Sequence, residues 1–296
     1  MKKLISLFVT HLILAQGLLA LWPAHSAVFA QSDLERGREL FKNKKYAEAR
    51  MIFENISKGS GHEAEACYYL GSIYLRFERD PDKAIEYLEK AIEADNSKSE
   101  YHMALSNALG AKIMQSNVIK QAMLARRIKS ELEKAVELNP NNAEARMSLL
   151  QMYVMMPGIM GGSITKARKQ ADALMQLNAC LGYLGYAMIS DYEEDLASAE
   201  AYYAKAIAAE PQLSRPYHQL GYLYLKQKRY EEAIKQFKKM AECDPGNANA
   251  YDSLGDGFLA NDQLDDAMES YRKAVAIDPQ FAPSVFNLAK CYEKKR

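Results

Sequence analysis

The sequence predicts an all-α solenoid: about seven stacked helix pairs followed by a C-terminal capping helix. Three observations carry this reading. First, Ser214–Phe281 repeats itself at a constant offset of 34 residues. Leu220-Gly221 returns as Leu254-Gly255, Tyr224 as Phe258, Ala233 as Ala267, Phe237 as Tyr271 and Pro245 as Pro279. Second, each copy holds two runs whose apolar residues fall three and four apart. In the first copy these are Tyr217, Leu220, Gly221, Tyr224 and Leu225, then Ala233, Ile234, Phe237, Met240 and Ala241. That is the spacing of one helical face. Third, most of the nine prolines fall at repeat ends or beside irregular loops. A unit of this size cannot bury its apolar stripe alone, so neighbours must stack.

Within one unit each part has a physical role. Gly221 and Ala233 are small where two antiparallel helices press closest, and a larger side chain there would overpack the contact. Asp244-Pro245 ends the second helix, because the residue before a proline is pushed out of the α region. Asn247 offers a capping oxygen to the next helix. The order Leu220-Gly221, Tyr224, Ala233, Phe237, Pro245 resembles the tetratricopeptide repeat signature, and the second copy matches it equally well. The resemblance implies a right-handed superhelix with a concave groove, and binding of a protein or peptide rather than catalysis.

Laid along the chain, the register gives repeats at about 30–63, 64–97, 98–142, 143–177, 178–213, 214–247 and 248–281, with a cap at 282–296. The second repeat carries one added residue around Asp80-Pro81. In the third, about ten extra residues lie between Leu105 and Ala135. Met114 to Leu138 keeps helical spacing through Ile119, Met123, Ile128, Leu132 and Ala135, with Ser116 or Asn117 as its cap. This predicts one long second helix projecting beyond its neighbours, with Lys120, Arg126, Arg127 and Lys129 as a basic face. That face is either a solvated surface or a contact for an anionic partner. The fourth repeat has an inter-helix turn about five residues longer than standard, Pro157-Gly158-Ile159-Met160-Gly161-Gly162-Ser163. The fifth is read from Leu184-Gly185, with a slightly long acidic turn at Asp191–Asp195.

Composition narrows the function. The 38 basic and 38 acidic residues balance, so no basic excess points to nucleic acid. Cys67, Cys180, Cys243 and Cys291 form no Cys-x-x-Cys or zinc spacing. They read as small interhelical residues, with a disulfide as the alternative in an oxidising compartment. No His-Glu-x-x-His, nucleophile elbow or phosphate-loop spacing occurs. A constellation of His218, Ser253 and Asp252 or Asp256 is the one catalytic arrangement the register allows. No cofactor or metal is expected, and the chain reads as a non-enzyme.

The groove follows from the register. In the repeat family, positions two, five, nine and twelve of each first helix face inward. Carried onto this chain they include Tyr68 and Ser72; Met103 and Asn107; Met147, Gln151 and Val154; Tyr186 and Ile189; Arg215, His218, Tyr222 and Leu225; Asn249, Asp252 and Asp256; Phe286 and Lys290. Methionine adapts to varied shapes and tyrosine offers low-entropy contacts, which suits an extended peptide or a partner helix. Tyr186→Ala and Tyr222→Ala are therefore expected to weaken partner binding with little loss of helicity. The carboxylate clamp of some family members needs a lysine where Met103 stands, so it is not recognisable despite Asn107. The Pro157–Ser163 turn reads as a helix stop and cap, with a partner-contacting loop and an anion site as alternatives. A long basic helix followed by this turn is also similar to a subgroup of exported bacterial tetratricopeptide proteins.

Met1–Ala30 reads as a secretory signal: Lys2-Lys3, an apolar run from Leu4 to Trp22, and Val28-Phe29-Ala30 before Gln31. The alternative is a retained membrane anchor, since the run has nearly the length of a span. Either way the array is expected outside the cytoplasm, periplasmic or secreted. The leading functional expectation is a cell-envelope adaptor that binds another protein. The rivals are a tethered scaffold that self-assembles and a small-ligand protein or enzyme built on the 157–163 loop. Cleavage makes a simple prediction: Edman sequencing of the mature chain starts at Gln31, and a chain still beginning at Met1 would exclude a free periplasmic protein.

Overall fold

The computed structural model describes residues 32–59 and 61–295. The segment Met1–Ala30, expected from the sequence to be a secretory signal, lies outside them, as do Gln31, Ser60 and Arg296. Fifteen α-helices and no strand make up the described residues. They are α1 (residues 32–42), α2 (Tyr46–Ile56), α3 (Glu63–Ile73), α4 (Pro81–Ala94), α5 (Ser99–Ile113), α6 (Val118–Leu138), α7 (Ala143–Met155), α8 (Ile164–Leu177), α9 (Ala179–Tyr192), α10 (Leu196–Ala209), α11 (Ser214–Lys226), α12 (Tyr230–Cys243), α13 (Ala248–Ala260), α14 (Leu264–Ile277) and α15 (Ala282–Lys294). Two compact units divide between Ala145 and Arg146, just inside α7. Within each unit, consecutive helices pack as antiparallel pairs and each pair stacks on the next.

Local chemistry sets the helix boundaries. Asp80, Asn117, Ser163, Asn178 and Asp195 each accept a hydrogen bond from a backbone N–H of the first turn they precede. Each such cap contributes about 1 kcal/mol. At the other end Asn139, Glu210, Asp244 and Asp278 all take extended or near-extended conformations. A proline follows every one of them, and its ring excludes the α conformation there.

The turns between paired helices carry the repeat period in their backbone. Lys44, Arg79, Glu194, Lys228 and Asp262 all have φ between 55° and 62°. Glu194, Lys228 and Asp262 stand 34 residues apart, and Lys44 and Arg79 stand 35 apart. The added residue of the second repeat is thus real. It is absorbed where α3 runs on into a π-helical turn, Tyr74–Glu78, closed by the Asp80 N–H on the Tyr74 carbonyl at 2.9 Å. A single π turn takes up one extra residue without ending the helix.

This period also corrects the fifth repeat. Tyr192 ends α9 34 residues before Lys226 ends α11, and the turn to α10 is three residues, no longer than that between α11 and α12. The residue equivalent to Gly221 is then Ala187, which is fully buried, and not Gly185. A Cβ on Gly185 would meet Leu150 and Ala171 of the preceding pair instead. The Leu-Gly dipeptide placed the register two residues early.

The third repeat differs in a second way. Asn117 caps α6 at Val118, and Met114 belongs to the turn after α5. Ile128, Leu132 and Ala135 are buried, but Ile119 and Met123 are exposed. The added turns of α6 run past the helices it packs on, so the apolar stripe has nothing to cover it there.

The core of the first unit gathers Leu34, Phe53, Leu70 and Ile73, with Tyr69 stacked on Phe53 at 4.7 Å. In the second unit Tyr217, Met240 and Tyr251 form one cluster, and Met268, Tyr271 and Cys291 another. Cys291 and Leu288 of α15 thereby cover the pair α13–α14, while Val285 and Tyr292 are exposed. All four cysteines are free thiols, Cys243 half-buried and the others buried. Burial pushes the Cys180 thiol up to about 11. Among the described residues no helix is long and apolar enough to cross a membrane.

Four of the pairs close on a side chain set against a glycine. A Cβ on Gly221 would come within 2.7 Å of Cζ of Phe237, and one on Gly255 within 2.5 Å of Cε1 of Tyr271. Both rings are fully buried and cannot swing away. Gly221→Ala and Gly255→Ala are each expected to cost ~1–3 kcal/mol in thermal or urea unfolding. Gly246→Ala, with open space around it, serves as the unaffected control.

Candidate partner-binding site

In the first unit, four residues assigned to the groove by register come together. Tyr68 and Ser72 of α3 and Met103 and Asn107 of α5 line one cavity of about 160 Å³, joined by Arg76, Glu100, Asn142 and Glu144. The two helices deliver them because α3 and α5 are the first helices of adjacent pairs and touch directly. Tyr68 stacks on Tyr101 at 5.1 Å and on Tyr69 edge-on at 5.2 Å, so its ring is held. Burial raises the pKa of its hydroxyl, which stays a neutral donor. Asn107 is exposed, whereas Met103 is buried and forms the cavity floor. Ser106 donates to the Met103 carbonyl at 2.7 Å. Arg76, Glu100, Asn142 and Glu144 were not anticipated from the register; the stacking of the pairs brings them to the cavity.

In the second unit, the inner positions of α11, α13 and α15 form a hydrogen-bonded network. The Tyr222 hydroxyl donates to Asp256 at 2.9 Å, and the Tyr271 hydroxyl reaches the same carboxylate at 2.8 Å. Ser284 donates to Asp252 at 2.7 Å. His218 lies edge-on to Tyr222 at 4.9 Å, and the Tyr222 ring meets Phe237 at 5.1 Å. Burial, then the charge of Arg215, holds His218 below its usual range. Lys290 sits over the Phe286 ring at 4.3 Å.

This arrangement changes the role of several expected contact residues. Asp252 is buried and Asp256 half-buried, so the network faces its own helices first. Arg215 and Tyr222 are exposed, but the Tyr222 hydroxyl ties α11 to α13. Tyr222→Ala would therefore loosen the stack as well as remove a surface ring, against the expectation of unchanged folding. Tyr186 is also corrected. Its hydroxyl donates to Asp172 of α8, which raises its pKa to about 12, and its ring stacks on Tyr202 of α10 at 5.3 Å. It is directed to the second helices, as the corrected register requires, and Ile189 is buried. On α7, Gln151 is exposed while Met147 and Val154 are buried.

The catalytic alternative lacks its geometry. Ser253 is fully buried and its hydroxyl donates to the Tyr222 oxygen at 3.3 Å. Among the described residues no hydrogen bond joins it to His218, and no group of three His, Cys, Asp or Glu could hold a metal ion. His102, buried in the first unit, has both ring nitrogens engaged, by Glu131 at 2.7 Å and Asn96 at 3.1 Å.

The Pro157–Ser163 turn closes on itself. The N–H groups of Met160 and Gly162 donate to the Pro157 carbonyl at 2.8 and 3.2 Å, Gly161 to Gly158 at 2.9 Å and Ser163 to Tyr153 at 2.8 Å. The amides of Gly161, Gly162 and Ser163 that an anion would need are already donated. Gly161 has φ of 98°, a left-handed value that suits glycine. A Cβ on Gly162 would collide with the Met156 carbonyl oxygen. Met160 is tucked back, whereas Ile159 is 94% exposed at the tip.

The network in the second unit has a pH signature. Burial raises the pKa of Asp252 from its ordinary value of 3.8, opposed by the Ser284 hydrogen bond and reinforced by Asp256. The folded chain therefore holds this proton more tightly than the unfolded chain. The favourable contribution is complete below pH 3.8 and is lost as pH rises through the higher folded-state value. Asp252→Asn is expected to be at least as stable as the wild type at pH 7. In thermal melts, the gap should close on acidification below pH 4.

Comparison with known proteins accords with this geometry. One tetratricopeptide repeat family model matches residues 40–108 and 192–255, and a second matches 248–281. Together they cover more than half of the chain. A tetratricopeptide repeat protein from Parabacteroides merdae superposes with a TM-score of 0.66 at 14% identity, over 89% of this chain and 98% of that one. The APC/C hetero-tetramer Cut9-Hcn1 gives a TM-score of 0.54 at 15% identity, over 91% of this chain and 48% of that one. The BBSome complex member BBS4 homolog of Drosophila melanogaster is 24% identical over 222 residues, 69% of this chain, and the match spans 42% of that relative's length. The repeat period, the glycine-closed helix pairs and these matches make the chain a member of the tetratricopeptide repeat family.

Proposed function

We propose that this protein is a non-catalytic scaffold that binds an extended segment or a helix of another protein on the inner faces of its first helices. One observation carries the reading. Tyr68, Ser72, Met103 and Asn107, assigned to the groove from register alone, surround a single cavity in the first unit. The cavity offers what a bound segment needs. A held tyrosine ring supplies contact area at low entropic cost, a methionine floor adapts in shape, and the exposed Asn107 can pair with a peptide group. Arg76 and Glu100 place both signs of charge around it, which favours a polar segment over a purely apolar one.

The family to which the chain belongs supports protein binding in general. Cut9-Hcn1 and the BBSome member are parts of assemblies by their names, in keeping with an adaptor. The signal-like Met1–Ala30 supports a place for that adaptor outside the cytoplasm, in the cell envelope.

The test uses site-specific photo-crosslinking in the intact chain. A crosslinker at Asn107 should capture a protein partner from the envelope fraction, and one at Lys90, exposed on the second helix α4, should not. Against the partner so identified, Asn107→Ala and Tyr68→Ala are each expected to weaken binding about tenfold, or ~1.4 kcal/mol, in calorimetry, with unchanged helicity. Capture from Lys90 alone, or full affinity in both variants, would sink the groove reading.

A further inference from the structure

The third helix pair ends in a tip unlike the other turns of the first unit. α6 has 21 residues where α4 has 14. Its buried positions Leu132 and Ala135 lie as far from the helix end as Leu88 and Ala91 do in α4. The seven added residues therefore all stand at the N-terminal end of α6, extending it by roughly 10 Å at 1.5 Å per residue.

Two properties coincide on this extension. Its apolar side chains are bare: Met114 is 83% exposed, Val118 79%, Ile119 77% and Met123 68%. Isolated exposed apolar residues need no explanation, but four on one protruding tip do. The charge there also has one sign. No acidic residue occurs from Met114 to Ser130, which holds Lys120, Arg126, Arg127 and Lys129. Arg127 pairs with Glu89 at 2.5 Å and Lys129 lies 3.8 Å from Glu133. Lys120 and Arg126 have no acidic partner among the described residues. The N-terminal dipole of α6 adds to the positive potential, with Asn117 capping only one of its amides.

We propose that this tip docks onto an anionic lipid bilayer. The order of side chains along the helix carries the choice of a bilayer. Met114, Val118 and Ile119 come first, at the tip, and Arg126 follows about two turns further back. Inserted end-on, the tip would place Met114, Val118 and Ile119 among acyl chains and Arg126 at the level of the lipid phosphates, toward which the long stem of Lys120 extends its ammonium. The surface is convex, so a protein partner would need a matching concave pocket with an acidic rim. A bilayer supplies both the apolar interior and the anionic rim, and deforms to fit. The groove cavity takes no part in this contact, so the two functions are independent.

Hydrogen–deuterium exchange on the full chain, with and without vesicles, tests the proposal locally. With vesicles of phosphatidylcholine containing phosphatidylglycerol, the amides of residues 115–123 should slow several-fold. Vesicles of phosphatidylcholine alone should leave them unchanged. Reading exchange by position separates this contact from any made by Met1–Ala30. The double variants Ile119→Asp/Met123→Asp and Lys120→Glu/Arg126→Glu should each lose the protection while the exchange of α3 and α4 stays as in the wild type. Those four side chains are exposed, so folding is not at stake. Unchanged exchange at 115–123 with anionic vesicles would overturn the proposal. So would equal protection by neutral vesicles, or protection that survives either double variant.

Discussion

In four of the helix pairs, the second helix sets a buried side chain against a glycine of the first. Phe53 lies on Gly37, Leu88 on Gly71, Phe237 on Gly221 and Tyr271 on Gly255. The absent Cβ lets the helix axes come close enough for the ring or branched chain to fill the space, at interior packing density. Each such side chain is almost wholly removed from water, worth roughly 1.5–3 kcal/mol apiece. Everything else in the array follows from repeating this contact. Once each pair has closed, its outer surfaces still carry apolar residues, and stacking on the next pair is what buries them.

The same closure fixes the turns. With the helices this close, two or three residues reverse the chain, and one of them adopts the left-handed conformation. That residue is Lys44, Arg79, Glu194, Lys228 or Asp262 and never glycine. A non-glycine residue there gives up of order 1 kcal/mol, which the closed pair sustains. The departures are also intelligible from it. An extra residue in the second repeat winds into a π turn. Five extra residues in the fourth form a self-bonded loop that presents Ile159. Seven extra residues in the third lengthen a helix beyond anything it can pack on. The regular pairs spend their side chains on one another, and the irregular ones leave side chains over.

The inner surfaces of the two units differ in how free those side chains are. In the first unit Tyr68, Asn107 and Arg76 surround open space. In the second, Tyr222 and Tyr271 both donate to Asp256, and Ser284 donates to Asp252. A buried carboxylate whose proton is held more tightly in the folded state does not favour folding at neutral pH. Its neighbours lower the cost by donating to it. The network is thus first a link between stacked pairs, and the register positions that would line a groove are occupied with that task.

The sequence by itself determined the fold class, because a 34-residue period with two amphipathic runs per period admits few structures other than stacked helix pairs. It also determined the caps, since Asn117, Asn178 and Asp195 act on amides within their own first turn, and the helix stops before Pro140, Pro211, Pro245 and Pro279. These effects are local and reach no further than a few residues. Tertiary structure decided the rest. Leu184-Gly185 matched the signature, yet Ala187 occupies the closing position, because the turn geometry at Glu194 fixes the register and a dipeptide does not. Tyr186 and Tyr222 are both tyrosines on first helices. Only the packing of neighbouring pairs shows that one turns to Asp172 and Tyr202 and the other bridges to Asp256. Ile119 and Ile128 share one helical run in sequence, but whether an apolar residue on a helix is core or bare depends on where the neighbouring helix ends.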